Sequence, residues 1–218
     1  MQKRNRFPVR GLYVITREHA DSHYALLTEV AAAIRGGAAV VQYRAKTPRD
    51  PVGEASALLE LCQSASVPLI VNDDVNLAVL IGADGVHLGK EDGSLATARE
   101  RLGADAIIGV SCYDSLERAL DAAEAGADYV AFGRFFSSAT KPKAPYAQLD
   151  TLRAARDSLS IPIVAIGGIN TGNGQSLLDA GADLLAVIEG VFSAEGGPES
   201  AARQFRRLWD GSEPISPS

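Results

Sequence analysis

Apolar residues come along this chain in short runs, and nearly every run stops on a small polar or charged cluster. Val40-Val41 leads into Gln42, Arg44 and Lys46; Leu69-Ile70-Val71 ends at Asn72-Asp73-Asp74; Gly85 to Leu88 leads to Lys90 and Asp92. Ile107 to Val110 ends at Ser111, Tyr129 to Phe132 leads to Arg134, and Ile163 to Ile166 ends at Gly167-Gly168. An internal repeat orders these runs. Gly-Ala followed by an apolar run occurs at Gly37, Gly82, Gly126 and Gly181, and the last three continue with Asp84, Asp128 and Asp183. A glycine that closes a helix in a left-handed conformation, with a strand following at once, accounts for the repeat. Four more strands lie between: 11–16, 69–71, 107–111 and 163–166, two of them preceded by Pro68 and Pro162.

Helical periodicity fills the gaps at 24–35, 51–65, 75–81, 95–102, 115–125, 149–159, 173–180 and 198–209. Strand and helix thus alternate eight times, which predicts a parallel sheet. Eight units in this length predict a single (β/α)8 TIM barrel. A doubly wound open sheet is the rival; no GxGxxG follows the first strand to support it. One domain is expected over 1–218, with its core at about 10–209 and a frayed Pro/Ser-rich tail at 210–218.

Composition narrows the function classes. The chain has 218 residues, is 46% apolar and carries a net charge of −6, so neither nucleic acid nor an anionic membrane is an expected partner. No apolar stretch approaches the ~18 residues of a membrane span. Two cysteines, Cys62 and Cys112, give no disulfide framework and fit a reducing cytoplasm. A homo-oligomer is left open.

In a barrel, every polar cluster at a strand's C-terminal end belongs to one face. Gln42, Arg44 and Lys46 alternate, so an extended strand points them the same way, as a cradle for a diphosphate or as a solvated strand end. The carboxylates of Asp73, Asp74 and Asp92 suit Mg²⁺, which takes one or two carboxylates and leaves its other positions to phosphate and water. Either Asp73 or Asp74 also suits a helix N-cap, as does Asp92. Hydroxyls and Lys141 in the loop 137–142, and the Gly167-Gly168 turn, suit phosphate. His87 reads as a packed strand residue, and Cys112 as a buried spectator with no histidine placed to activate it.

Together, GLYVIT at 11–16, VQYRAK at 41–46, IVND at 70–73, GADGVHLGKED at 82–92, IGVS at 108–111, FGRFFSSATKP at 132–142 and VAIGGI at 164–169 resemble the thiamine-phosphate synthase family over 11–192. The resemblance implies a cytoplasmic transferase of thiamine biosynthesis. It would join hydroxymethylpyrimidine diphosphate to a thiazole phosphate, or its carboxylated form, and release pyrophosphate. It implies that Gln42, Tyr43, Arg44, Ala45 and Lys46, with Asn72, Ser111 and Lys141, hold the pyrimidine diphosphate. Arg44, Lys46, Lys141 and Ser111 would carry catalysis, and Asp73 and Asp92 would hold Mg²⁺. Ser138, Ala139, Thr140, Gly168, Ile188 and Glu189 would hold the thiazole phosphate. Ala45, Ser137 and Glu189 depart from residues common in the family. A carboxylate about 4 Å from a phosphate charge costs about 4 kcal/mol at an effective dielectric near 20, so Glu189 is expected to turn aside and leave the phosphate to backbone N–H groups. A thiazole tautomerase-like barrel, a phosphosugar isomerase or epimerase, and a non-catalytic sensor of phosphorylated ligands are the alternatives.

Overall fold

The computed structural model describes residues 6–18, 22–90, 92–137 and 146–211. The elements run β1 (Gly11–Ile15), α1 (His23–Arg35), β2 (Ala38–Tyr43), α2 (Pro51–Ser64), β3 (Leu69–Asn72) and α3 (Val75–Ile81). They continue with β4 (Gly85–Leu88), α4 (Leu95–Leu102), β5 (Ile107–Tyr113), α5 (Leu116–Glu124), β6 (Tyr129–Gly133) and α6 (Leu149–Ser158). The last are β7 (Ile163–Ile166), α7 (Gly174–Asp179), β8 (Leu184–Val187), α8 (Glu189–Phe192) and α9 (Gly197–Asp210). The eight strands pair in parallel and in chain order, and β8 closes on β1. The expected barrel is therefore observed, with strand and helix limits within one or two residues of the pattern for most elements. The short α8 is an insertion between β8 and the long closing helix. Asp210 is helical rather than part of a frayed tail.

The strand runs are apolar on both faces because both faces are buried. Val41, Val71, Val86 and Val130 face the helices, while Ile15, Val40, Ile70, Ile107, Val164 and Leu184 fill the barrel interior. The Gly-Ala-Asp repeat has a structural cause. Gly82 ends α3 in the left-handed conformation (φ 72°, ψ 36°). Two residues on, the Asp84 carboxylate accepts from the Leu69 N–H at 2.9 Å, Asp128 from Ile108 at 2.7 Å and Asp183 from Ile163 at 2.9 Å. Each carboxylate thus satisfies an N–H at the start of the preceding strand, the first residue of β3 and β7 and the second of β5, at the N-terminal face. Arg99 and Arg156 then pair with Asp128 and Asp183. This face is concerned with closure and leaves the opposite one to chemistry.

Candidate active site

A cavity of about 480 Å³ opens at the C-terminal ends of the strands. Its wall is built from inward-pointing strand residues, Tyr13, Gln42, Asn72, His87, Ser111 and Ala131, and from the turns at Gly167–Asn170 and Ile188–Gly190. Strand alternation divides the 42–46 stretch. Gln42 points in, and its Nε2 donates to the Tyr13 hydroxyl at 2.8 Å. Arg44 lines the cavity. Tyr43 points outward, where its hydroxyl donates to Glu54 at 2.7 Å, and Ala45 packs on the outer core. Those two side chains are therefore turned from the cavity, and only their main chain is left to meet a ligand.

Arg44 is fixed at its backbone: the Thr16 hydroxyl accepts from the Arg44 N–H at 2.8 Å and donates to the Arg44 carbonyl at 3.0 Å. β2 ends at Tyr43, so the alternation does not carry Lys46 inward. Lys46 is 61% exposed against 13% for Arg44, and does not line the cavity. Both cations nevertheless converge on one oxygen: Glu18 Oε1 lies 2.7 Å from Arg44 Nη1 and 3.1 Å from Lys46 Nζ. Burial alone would raise the Glu18 carboxyl; Lys46 and Arg44 together outweigh it and hold it below the ordinary glutamate value. Glu18 occupies the cations as an anionic ligand would.

The acidic residues sort into one that caps a helix and two that do not. Asp74 caps α3, accepting from Leu77 N–H at 2.9 Å, and Ser94, rather than Asp92, caps α4. Asp73 stands at φ 63°, a left-handed conformation that Asp tolerates better than most residues. Its N–H donates to the His87 carbonyl at 2.8 Å, and its Oδ2 accepts from Asn72 at 2.6 Å. Asp92 Oδ2 accepts from the Gly89 N–H at 2.8 Å. A methyl group on Gly89 would lie 2.4 Å from Asp92 Oδ2 and 3.8 Å from Asp73 Oδ1. The two carboxylates thus flank one glycine that leaves the space between them clear, and a hard divalent cation fits this pair. Among the described residues there is no group of three or more His, Cys, Asp or Glu side chains gathered for a metal.

Ser138, Ala139, Thr140 and Lys141 lie outside the described residues. Gly168 takes φ 67°, and a Cβ there would meet Ser137 O at 2.3 Å and Phe136 Cβ at 2.8 Å. Ile188 is the N-cap of α8, whose first N–H groups have no intrahelical acceptor. Glu189 lines the cavity, and its carboxylate accepts from the Ser193 hydroxyl one turn further along its own helix. Burial pushes both thiols, Cys62 and Cys112, up to about 12, so neither is a nucleophile.

Several residues of the site escaped the sequence. His87 is more than packing: its Nδ1 meets the Tyr129 hydroxyl at 2.9 Å and its Nε2 meets Ser111 Oγ at 2.8 Å. Tyr13 and Tyr129 lie within apolar strand runs, and their hydroxyls meet at 2.8 Å inside the barrel. Arg118 joins the tops of two strands, with Nε donating to Ser111 O at 2.7 Å and Nη2 to Gly89 O at 3.2 Å. Arg134 lines the cavity and covers the Tyr146 ring at 4.2 Å. The inward phase of His87 in β4 was the one signal that could have placed it.

A family model described as thiamine monophosphate synthase matches residues 12–191. The chain is 57% identical over 204 residues to a thiamine-phosphate synthase of Methylococcus capsulatus, covering 93% of this chain and 89% of that one. It is 56% identical over 188 residues to that of an Azoarcus species, covering 85% and 91%. Thiamine phosphate pyrophosphorylase from Pyrococcus furiosus superposes with a TM-score of 0.83 at 36% identity, covering 92% of this chain and 96% of that one. With this span and identity, the chain belongs to the thiamine monophosphate synthase family.

Proposed function

We propose that the barrel cavity binds hydroxymethylpyrimidine diphosphate and a thiazole phosphate and joins them into thiamine phosphate, releasing pyrophosphate. The observation that carries this reading is a pair of charge clusters near the C-terminal ends of neighbouring strands, of which Arg44 lines the cavity and Asp73 and Asp92 line a separate depression. Arg44 and Lys46 sit on Glu18, and Asp73 and Asp92 flank Gly89.

In this reading the diphosphate displaces Glu18 from Arg44 and Lys46, with Lys141 as a third cation. Asp73 and Asp92 would hold Mg²⁺, which when bound neutralises leaving-group charge. Ser111 and Asn72, on the cavity wall, orient the pyrimidine diphosphate. The C–O bond to the diphosphate breaks first, leaving a carbocation stabilised by the pyrimidine ring; the thiazole nitrogen then donates its lone pair to that carbon. No proton is removed, so no strong base is needed. Rate enhancement comes from charge neutralisation and from positioning of the nucleophile. The thiazole phosphate is assigned to the N–H groups of Gly168 and the start of α8, with Ser138, Ala139 and Thr140.

The site is sized for small phosphorylated molecules. No helix among the described residues is long and apolar enough to cross a membrane, and the free buried thiols Cys62 and Cys112 support a cytoplasmic location. Supplying both substrates with Mg²⁺ tests the reading: stoichiometric pyrophosphate and thiamine phosphate are expected. Isomerisation of a thiazole phosphate without pyrophosphate would move the assignment to a tautomerase.

A further inference from the structure

Five polar side chains from five strands form one continuous chain through the barrel. Gln42 Nε2 donates to the Tyr13 hydroxyl at 2.8 Å, which meets the Tyr129 hydroxyl at 2.8 Å. Tyr129 meets His87 Nδ1 at 2.9 Å, and His87 Nε2 meets Ser111 Oγ at 2.8 Å. Gln42, Tyr13, His87 and Ser111 border the cavity, and Tyr129, which joins them, is buried beneath it. The proposed function gives none of the three middle residues a direct role.

The chain has a direction. An amide nitrogen only donates, so the Tyr13 oxygen accepts from Gln42. Burial drives both phenols above their ordinary pKa, so each keeps one proton to place. With Gln42 donating on one side, the Tyr13 proton goes to the Tyr129 oxygen, because a buried hydroxyl proton without an acceptor is costly. The Tyr129 proton then goes to His87 Nδ1. An imidazole nitrogen that accepts carries no proton, so the ring proton of neutral His87 sits on Nε2 and is donated to Ser111 Oγ. Ser111 therefore keeps its own proton for the cavity. The opposite direction would spend the Ser111 proton on His87 and turn serine lone pairs toward the ligand. That arrangement would repel an anion.

We propose that Gln42, Tyr13, Tyr129 and His87 are positioning residues. They hold His87 as the Nε2–H tautomer and so aim the Ser111 hydroxyl proton at an anionic oxygen in the cavity. The proposal rests on the reading above only for the identity of that anion, a diphosphate. The tyrosine at its centre is held rigidly: Phe7 stacks on Tyr129 with ring centroids 4.0 Å apart and planes 3° apart. On its other side Gly109 leaves space that a Cβ would take.

Two measurements test it. Nitrogen-15 NMR of the histidines in the ligand-free protein should show His87 as the Nε2–H tautomer. Tyr129→Phe, or Tyr13→Phe if that variant folds better, should abolish this preference. An Nδ1–H tautomer in the unaltered protein would overturn the proposal. The second measurement is a double-mutant cycle. Tyr129→Phe should lower kcat about 10-fold, the scale of outer partners that orient a site ligand, with KM little changed. In a Ser111→Ala background the same substitution should be nearly silent. An equal loss in both backgrounds would assign Tyr129 to packing alone. Should no turnover be obtained, inorganic pyrophosphate titrated by calorimetry reads the same cycle. A Tyr129→Phe effect confined to the protein with Ser111 supports the chain, and equal effects overturn it.

Discussion

Gly109 in β5 faces the ring of Tyr129 in β6 so closely that a methyl group on Gly109 would sit 2.0 Å from Tyr129 Cζ and 2.4 Å from its hydroxyl oxygen. The two residues are register partners in neighbouring strands. Glycine is required here for space rather than for backbone conformation. The tyrosine ring is pinned by Phe7 and hydrogen-bonded at its tip to Tyr13 and His87, so it has nowhere to move.

Gly109→Ala should therefore destabilise the barrel by about 1–3 kcal/mol, the usual cost of overpacking. At about 2–4 °C per kcal/mol for a chain of this size, the thermal midpoint should fall by several degrees. An unchanged midpoint would show that the ring yields.

Asp73 and Asp92 should act as one metal site. Asp73→Asn or Asp92→Asn should abolish Mg²⁺-dependent pyrophosphate binding in calorimetry and reduce turnover at least 100-fold. Melting should move only by the ~1 kcal/mol of a lost hydrogen bond. Retention of Mg²⁺-dependent binding by both variants would remove them from the site.

On the proposed function, Glu18 is expected to compete with the diphosphate for Arg44 and Lys46. Glu18→Gln should tighten inorganic pyrophosphate binding about 2- to 10-fold, the range of an ion pair of modest burial. Its folded-state pKa is lowered. The stability it contributes is therefore present above the ordinary glutamate value and lost as pH falls through the depressed one. The difference in melting temperature between the original protein and Glu18→Gln should accordingly be largest near neutral pH and shrink in acid. Equal pyrophosphate affinity for the two would mean that the ligand leaves this ion pair in place.

Gly168 and Glu189 should respond oppositely. Gly168→Val must adopt a left-handed φ and drive its Cβ into Ser137 and Phe136. It should raise KM for thiazole phosphate well over tenfold through displacement of the loop after β6, not only through occupation of the phosphate's place. Glu189→Ser should change KM by less than tenfold, because the carboxylate already bonds Ser193. Steady-state kinetics with varied thiazole phosphate decides both.

The barrel was legible because its signals are local. A left-handed glycine ends a helix, the next apolar run is a strand, and the pattern recurs at Gly37, Gly82, Gly126 and Gly181. Chain-order pairing then places Gln42, Asn72, Ser111 and Gly168 around one opening, so much of the site followed from the strand ends. Tertiary structure decided the rest, because hydrogen bonds inside a closed barrel join residues whose separation in sequence carries no pattern. Tyr13 and Tyr129 are 116 positions apart, and His87 and Tyr129 are 42 apart. Local sequence makes each of these an apolar-run residue facing the interior; only closure of β1 onto β8 sets their polar atoms 2.8–2.9 Å apart. The same holds for Glu18. A loop carboxylate has no periodicity, and its pairing with Arg44 and Lys46 comes from two adjacent strand ends meeting in space.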